Sequence, residues 1–445
     1  MLLNFTCDNF KSFRDGFQFN MVPEKRMKDL EYSVLAENIG DQTETGLSVS
    51  VIYGPNAAGK TSIVNAMSCM QQLVLRGNIK DAAEDRTGDN VSREMSLAPF
   101  AFRDDPAPVR FDVTFTHRGL KFRYVVSAFL GAFLEKASAR YISEETLYVN
   151  DAPIYRREKD SVEKLNLSPI TEYLNEGFAV SSAARIKKAM SSNIVPDTLL
   201  LQTDFNSFCS KKLVRMILEW FETDFIVINS SDRVRSFPAM LEEDGQALID
   251  ESINSIAREA GIIGSDFAYV KDPETKTATL VSVLKRNEND HSLVGLDSEL
   301  IESVGTLRLV SIMPIILTAL KNGAVLVMDE MDASLHPMIV MNLISIFHND
   351  SVNKNKAQLI FNTHNPVYLN HKLLRRDEIK FVERDPETKS SSLYALSDFK
   401  ANGETSVRKT SDYMKNYFIN RYGAIVDIDF TDIIQKVLGG TSNDA

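Results

Sequence analysis

The chain has 445 residues, 44% of them hydrophobic, which is the make-up of a globular protein with room for one large or two to three ordinary domains. Its 50 basic residues against 61 acidic ones leave a net charge of −11, which excludes a protein that coats nucleic acid by charge alone while still allowing a local basic groove. Cys7, Cys69 and Cys209 are scattered, so neither a disulfide framework nor a zinc site is expected, and a cytoplasmic setting fits. The N-terminus is polar by Asn4, Asp8 and Lys11 and lacks a signal-peptide core. The longest apolar run, Leu309 to Leu320, has 12 residues and contains Pro314, too short to span a bilayer, so no membrane partner is expected.

In chain order, residues 2 to 22 alternate as two strands around Asn9-Phe10-Lys11-Ser12-Phe13 and predict a hairpin leading into the next strand. That strand, Val49 to Tyr53, ends abruptly at Gly54. A loop of small residues follows, and from Thr61 the apolar spacing turns helical through Ile63, Ala66, Met67, Met70 and Val74. Strand, loop and helix in this order make Gly54-Pro55-Asn56-Ala57-Ala58-Gly59-Lys60-Thr61-Ser62 a phosphate-binding loop. Its glycines let backbone N–H groups converge on phosphate oxygens, and the helix adds the positive end of its dipole. Lys60 would reach the β- and γ-phosphates, and the Thr61 hydroxyl would hold Mg2+.

From Arg76 to Ser96 the composition predicts a mobile surface loop, and Arg110 to Thr116, Lys121 to Ala128 and Thr146 to Asn150 read as antiparallel strands. Between Tyr155 and Ala260 helical patterns dominate, notably Phe208 to Phe221 and Ala247 to Ala260. The turn sequences Asp272-Pro273-Glu274-Thr275-Lys276 and Asp385-Pro386-Glu387-Thr388-Lys389 each predict a hairpin. The chain ends in a helix over Asp412 to Tyr422 and a Gly439-Gly440 tail expected to be disordered. The expected division is 1–150 and 301–445 as the two halves of an α/β core, with 151–300 as an inserted helical lobe and hairpin.

A second half of the site lies downstream. Ala324 to Met328 is a buried-strand pattern that delivers Asp329 and Glu330 at its end, Asp329 for Mg2+ and Glu330 to polarise the attacking water. Upstream, Ser303 caps an apolar helix and Gly305 permits close approach, making that helix start an anion site. A phosphate already held by Lys60 needs no second cradle from the same subunit, so this one is expected to serve another subunit's nucleotide. His364, after the strand Gln358 to Asn362, falls where a strand edge would aim it at the γ-phosphate.

The ordered set resembles the ATP-binding-cassette (ABC) ATPases of the SMC, RecF and OLD branch. Within it, the chain is most similar to stand-alone RloA-like AAA family ATPases of bacteria, many of which sit in anti-phage defence systems. The resemblance runs from Asn9-Phe10-Lys11-Ser12-Phe13 to Arg421-Tyr422-Gly423-Ala424-Ile425. It makes Gly54 to Thr61 Walker A, Ser303-Val304-Gly305-Thr306 the signature motif, Asp329 and Glu330 the end of Walker B, Asp332 the start of the D-loop and His364 the switch histidine. It implies an ABC-type P-loop NTPase head with an antiparallel β subdomain and an inserted helical lobe. It also implies ATP and Mg2+ as cofactors, a homodimer or higher homo-oligomer joined through the ATP sites, and a separate effector protein, nuclease or toxin. A RecF-like clamp binding nucleic acid through Lys187, Lys188, Lys211 and Lys212 is the other reading. Thr306 stands where transporters carry glutamine, no Asn-Lys-x-Asp guanine motif is present, and no glutamine lies between Gln72 and Gln202 to serve as the Q-loop residue.

Overall fold

The computed structural model describes residues 1–28, 30–80, 97–133, 140–177, 180–229, 247–271, 278–287, 290–399, 411–426 and 428–438. Most of the loop expected after Arg76, the Asp272–Lys276 turn and the Gly439-Gly440 tail lie outside them. Two sheets carry the fold. One is a six-stranded sheet in the order Phe225–Ile228, Val325–Met328, Gln358–Asn362, Val49–Tyr53, Ile379–Arg384, Ser391–Ala395; the first five strands run parallel and the last antiparallel. The other is a seven-stranded antiparallel sheet built from Leu2–Asp8, Phe17–Asn20 and the meander from Val109 to Leu165.

Side-chain parity explains how the layers stack. All five residues of Val49–Tyr53 are buried, as a parallel strand covered on both faces requires. Ile52, with Val327 and Ile360, joins the core around the helix Lys60–Arg76, whose Ile63, Met67, Met70 and Val74 also meet Phe5, Phe111 and Val113 of the antiparallel sheet. Val49, Val51 and Tyr53, with Leu326, Met328 and Phe361, face the other way. There they pack on Leu309, Ile312, Met313 and Ile316 of the helix Val304–Asn322 and on Val340, Ile344 and Phe347 of the helix Pro337–His348. Each large apolar side chain enclosed in this way contributes about 1.5–3 kcal/mol. The order of layers is therefore antiparallel sheet, phosphate-loop helix, parallel sheet, outer helices.

Several expectations need correction. A second hairpin, Val34–Ile39 with Gln42–Leu47, stands between the first hairpin and the phosphate-loop strand. The region from Tyr155 to Ala260 is less helical than its pattern: Ala152–Glu158 and Ser161–Leu165 extend the antiparallel sheet, and Phe225–Ile228 is an edge strand of the parallel one. Short strands of four to seven residues cannot be told from helix turns by periodicity. Ala247–Ile249 is likewise a strand, and the helix begins only at Glu251, where Asp250 caps it by accepting from Ser252 N at 2.9 Å.

The apolar run around Pro314 grows into the 19-residue helix Val304–Asn322, which is long and apolar enough to cross a membrane. Here Leu309, Ile312, Met313, Ile316 and Ala319 are buried against the parallel sheet, so its apolar character is that of a core helix.

Candidate functional site

The carboxyl ends of the parallel strands meet along one edge, where open α/β sheets place their ligands. Register does the assembling. Met328 pairs with Phe361 and Asn362 with Ile52, so Asp329 comes level with Asn362, and Thr363 and the Gly54 loop lie just beyond them on the same edge. Thr363 N donates to Ile52 O at 3.0 Å and Asp329 N to Ile228 O at 2.9 Å, fixing the strand ends.

The loop from Gly54 to Gly59 curls over the start of the Lys60–Arg76 helix. A Cβ on Gly54 would sit 2.4 Å from Val382 O, and one on Gly59, whose φ is +117°, would meet the hydroxyls of Ser12 and Ser391 at 2.7 Å. Ala57 is held at φ 60°. Ser391 Oγ donates to Ala58 O at 2.6 Å, and Ser12 Oγ bonds Ser62 Oγ at 3.2 Å. Asn56 and Ala57 are exposed and Ala58 is buried. Lys60 Nζ folds back on the loop, donating to Gly54 O at 2.8 Å and Pro55 O at 3.0 Å. Burial lowers its pKa to about 8 against the pull of Glu330 and Asp329.

Across from the loop, Thr61 Oγ1 donates to Asp329 Oδ1 at 3.1 Å. Asn362, fully buried, donates through Nδ2 to the same carboxylate oxygen and accepts Glu330 N at 2.5 Å through Oδ1. Burial raises the Asp329 pKa despite the donors Asn362 and Thr61. Glu330 turns its side chain outward from a backbone held at φ 47°, a left-handed conformation that is strained for a residue of this type. Asp332 accepts from Thr363 Oγ1 at 2.6 Å, and its pKa too is raised by burial. His364 sits exposed at the rim; partial desolvation and then Lys60 lower its pKa against Glu330, Asp332 and Asp329. Thr61 and Asp329 thus offer adjacent hard oxygen donors of the kind Mg2+ takes alongside phosphate and water.

The signature segment makes a different set of contacts. Ser303 Oγ accepts from Thr306 N at 3.1 Å as the cap of Val304–Asn322 and lies 2.9 Å from Thr306 Oγ1. Gly305 presses on the loop after Asp332, since a Cβ there would lie 2.6 Å from Ser334 O. Arg308, buried one turn on, reaches Glu330 O at 3.5 Å.

Sequence reasoning passed over Ser12, Ser391, Arg308 and Asn362 as site residues. Asn362 carried a signal, a polar residue ending a buried strand just before Thr363-His364. For Ser391 there was none. Gln72 and the partner of Gln202, Val74 O, lie 12 and 14 residues along the helix from Lys60, about 18–21 Å away at helical rise, so neither is a γ-phosphate sensor in this arrangement.

A parallel sheet whose central strand feeds a Gly54–Thr61 loop into a helix, with Asp329 bonded to Thr61, defines an α/β P-loop ATPase. The family model described as "AAA domain, putative AbiEii toxin, Type IV TA system" matches residues 49–370, and the chain belongs to that family. No curated protein matches the chain. Among solved structures the chain is similar to an SMC head bound to the C-winged helix domain of ScpA, at 15% identity over 88% of this chain and 97% of that one, with a TM-score of 0.38. It is also similar to the SMC head domain from Thermotoga maritima, at 14% identity over 88% and 98%, with a TM-score of 0.36.

Proposed function

We propose that the chain is a nucleotide-driven dimerisation switch. Two heads would enclose two Mg-ATP. Each site would take Lys60, Thr61, Asp329, Glu330 and His364 from one subunit and Ser303, Gly305 and Thr306 of the partner subunit. Thr61 and Asp329 would hold Mg2+, which neutralises charge on the transferring phosphoryl group. Glu330 would orient the water, His364 would hold the γ-phosphate, and Asp332 would order the loop between the two sites.

The observation that carries this reading is the division of contacts. The phosphate loop is walled by Ser12, Val382, Ser391 and Asp329 of its own chain, while Ser303 and Gly305 bind only their own helix start and Ser334 among the contacts described above. A helix N-terminus built to receive an anion is thus left for a second nucleotide. Glu330→Gln should retain ATP and raise the dimer fraction in light scattering; a variant that does neither ends the proposal.

The resemblance to RloA-like ATPases supports a cytoplasmic place in anti-phage defence, with effector chemistry, nuclease or toxin, on a separate chain. ATP-dependent nuclease activity in the purified protein would refute that division of labour. The clamp reading draws on Lys188, Lys211 and Lys212, which are exposed, whereas Lys187 is turned to Glu163 O at 2.7 Å. Nucleic-acid binding with a steep salt slope, lost when these lysines are neutralised, would favour it.

A further inference from the structure

Glu330 is held from two directions. Its N–H goes to Asn362 on the sheet, and its carbonyl, which also takes Ala333 N at 3.1 Å, faces Arg308 Nη2 at 3.5 Å. Arg308 belongs to the start of the helix Val304–Asn322, the helix capped by Ser303. Three residues before it, on the same side of that helix, Gly305 touches Ser334 O so closely that a Cβ would lie 2.6 Å away. Glu330 and Ser334, the two ends of the segment gripped in this way, are both left-handed, at φ 47° and 63°. One helix start therefore holds both ends of the loop that aims Glu330, while its outermost residue, Ser303, is exposed.

That grip has room to tighten. A buried guanidinium is costly unless its hydrogen bonds are good ones. Arg308 is 7% exposed, and 3.5 Å lies at the outer limit of such a bond, so a small shift of the first turn decides whether it closes. Farther along, the helix is fixed by Leu309, Ile312, Met313 and Ile316, which pack on the parallel sheet. The first turn and the loop it holds are the parts left to adjust, and an anion drawn to the helix tip acts on that turn.

We infer that Arg308 is a positioning residue for Glu330: a nucleotide received at Ser303 closes the bond from Arg308 to Glu330 O and sets the Glu330 carboxylate toward the attacking water of that head's own site. The inference rests on the proposed dimer, in which the nucleotide at Ser303 is the one held by the partner subunit. It adds that neither site is fully active until the other is filled. Arg308 takes no part in the chemistry; it fixes the backbone from which Glu330 projects.

The test is ATP turnover and dimer formation by full-length Arg308→Met, alone and combined with Ser303→Ala. A charge-assisted bond made only in the closed state sets the scale, so kcat should fall about tenfold with KM unchanged. The ligand-free unfolding midpoint should not drop, because methionine replaces a buried cation with apolar volume, and Arg308→Lys should recover most of the lost turnover. Arg308→Met in the Glu330→Gln background should still give the ATP-dependent dimer. Ser303→Ala breaks the same relay at its other end, so the double variant should be no slower than the slower single one. If the methionine variant does not fold, Arg308→Gln, which loses the charge and the reach, is read in the same way. Wild-type kcat, a loss that appears in KM instead, a midpoint drop with turnover that lysine does not restore, or losses that multiply in the double variant would each overturn the inference. No ATP-dependent dimer of Glu330→Gln would sink the switch itself; a dimer together with wild-type turnover in Arg308→Met would sink this inference alone.

Discussion

Asn362 gives the most direct handle on the site, because one buried amide holds two neighbours at once. Its Nδ2 donates to the Asp329 carboxylate and its Oδ1 accepts Glu330 N at 2.5 Å. Asn362→Ala removes a hydrogen bond to a charged group, worth about 1.5–3 kcal/mol, and strands the Glu330 amide, at about 1–3 kcal/mol more. Water entering the gap would recover part of that sum, so a loss of about 3 kcal/mol in folding stability is the central expectation. If the same energy is what holds Glu330 in its left-handed conformation, turnover should fall about 100-fold at 1.36 kcal/mol per decade. The assays are denaturant unfolding without nucleotide and phosphate release at saturating Mg-ATP. Asn362→Asp keeps the acceptor for Glu330 N but sets a second carboxylate on Asp329, so its defect should ease as pH falls and the pair shares a proton. Asn362→Ala with wild-type turnover and an unchanged unfolding midpoint would refute the argument.

Four further outcomes are expected. Lys60 has its pKa depressed to about 8 in the ligand-free head, and phosphate beside it will raise that value; ATP binding at pH 8 should therefore take up about half a proton, seen by titration calorimetry as a heat that differs between Hepes and Tris buffers. A depressed lysine contributes stability above its unfolded pKa and loses it as pH falls through about 8, so Lys60→Met should raise the ligand-free melting temperature at pH 7 more than at pH 10. Asp329 has a raised pKa, so its contribution is complete below the unfolded carboxylate value and is lost as pH rises through the folded one; Asp329→Asn should stabilise the ligand-free head at pH 7, with a smaller gain near pH 4, while ending turnover. Gly54→Ala places a methyl 2.4 Å from the Val382 carbonyl, and with backbone on both sides the clash should cost about 1–3 kcal/mol in unfolding experiments and weaken ATP binding.

The parts of the site that could be read in sequence are those in which one local stretch holds both the element and its chemistry. Gly54 to Thr61 carries its own strand, loop and helix, and Asp329-Glu330 ends a run too apolar to be anything but a buried strand. Ser303 as a helix cap belongs to the same class, since its partner, Thr306 N, is three residues away. What stayed hidden depends on contacts between distant segments. Ser391 meets Ala58 only because the last two strands of the sheet fold back onto the loop, and Asn362 meets Asp329 only through strand register. The short strands Ala152–Glu158 and Phe225–Ile228 were lost among helical patterns because sheet partners, rather than their own periodicity, make them strands.

The order of the parallel strands has a consequence for biosynthesis. Val49–Tyr53 emerges from the ribosome early, yet both its neighbours, Gln358–Asn362 and Ile379–Arg384, come from the last quarter of the chain. The antiparallel sheet can close once residue 165 is out, and until the later strands arrive the phosphate-loop strand waits with two bare edges. Such long-range pairing is slow and leaves a sticky intermediate, so a nascent chain stalled before residue 384 should be a chaperone client and a finished one should not.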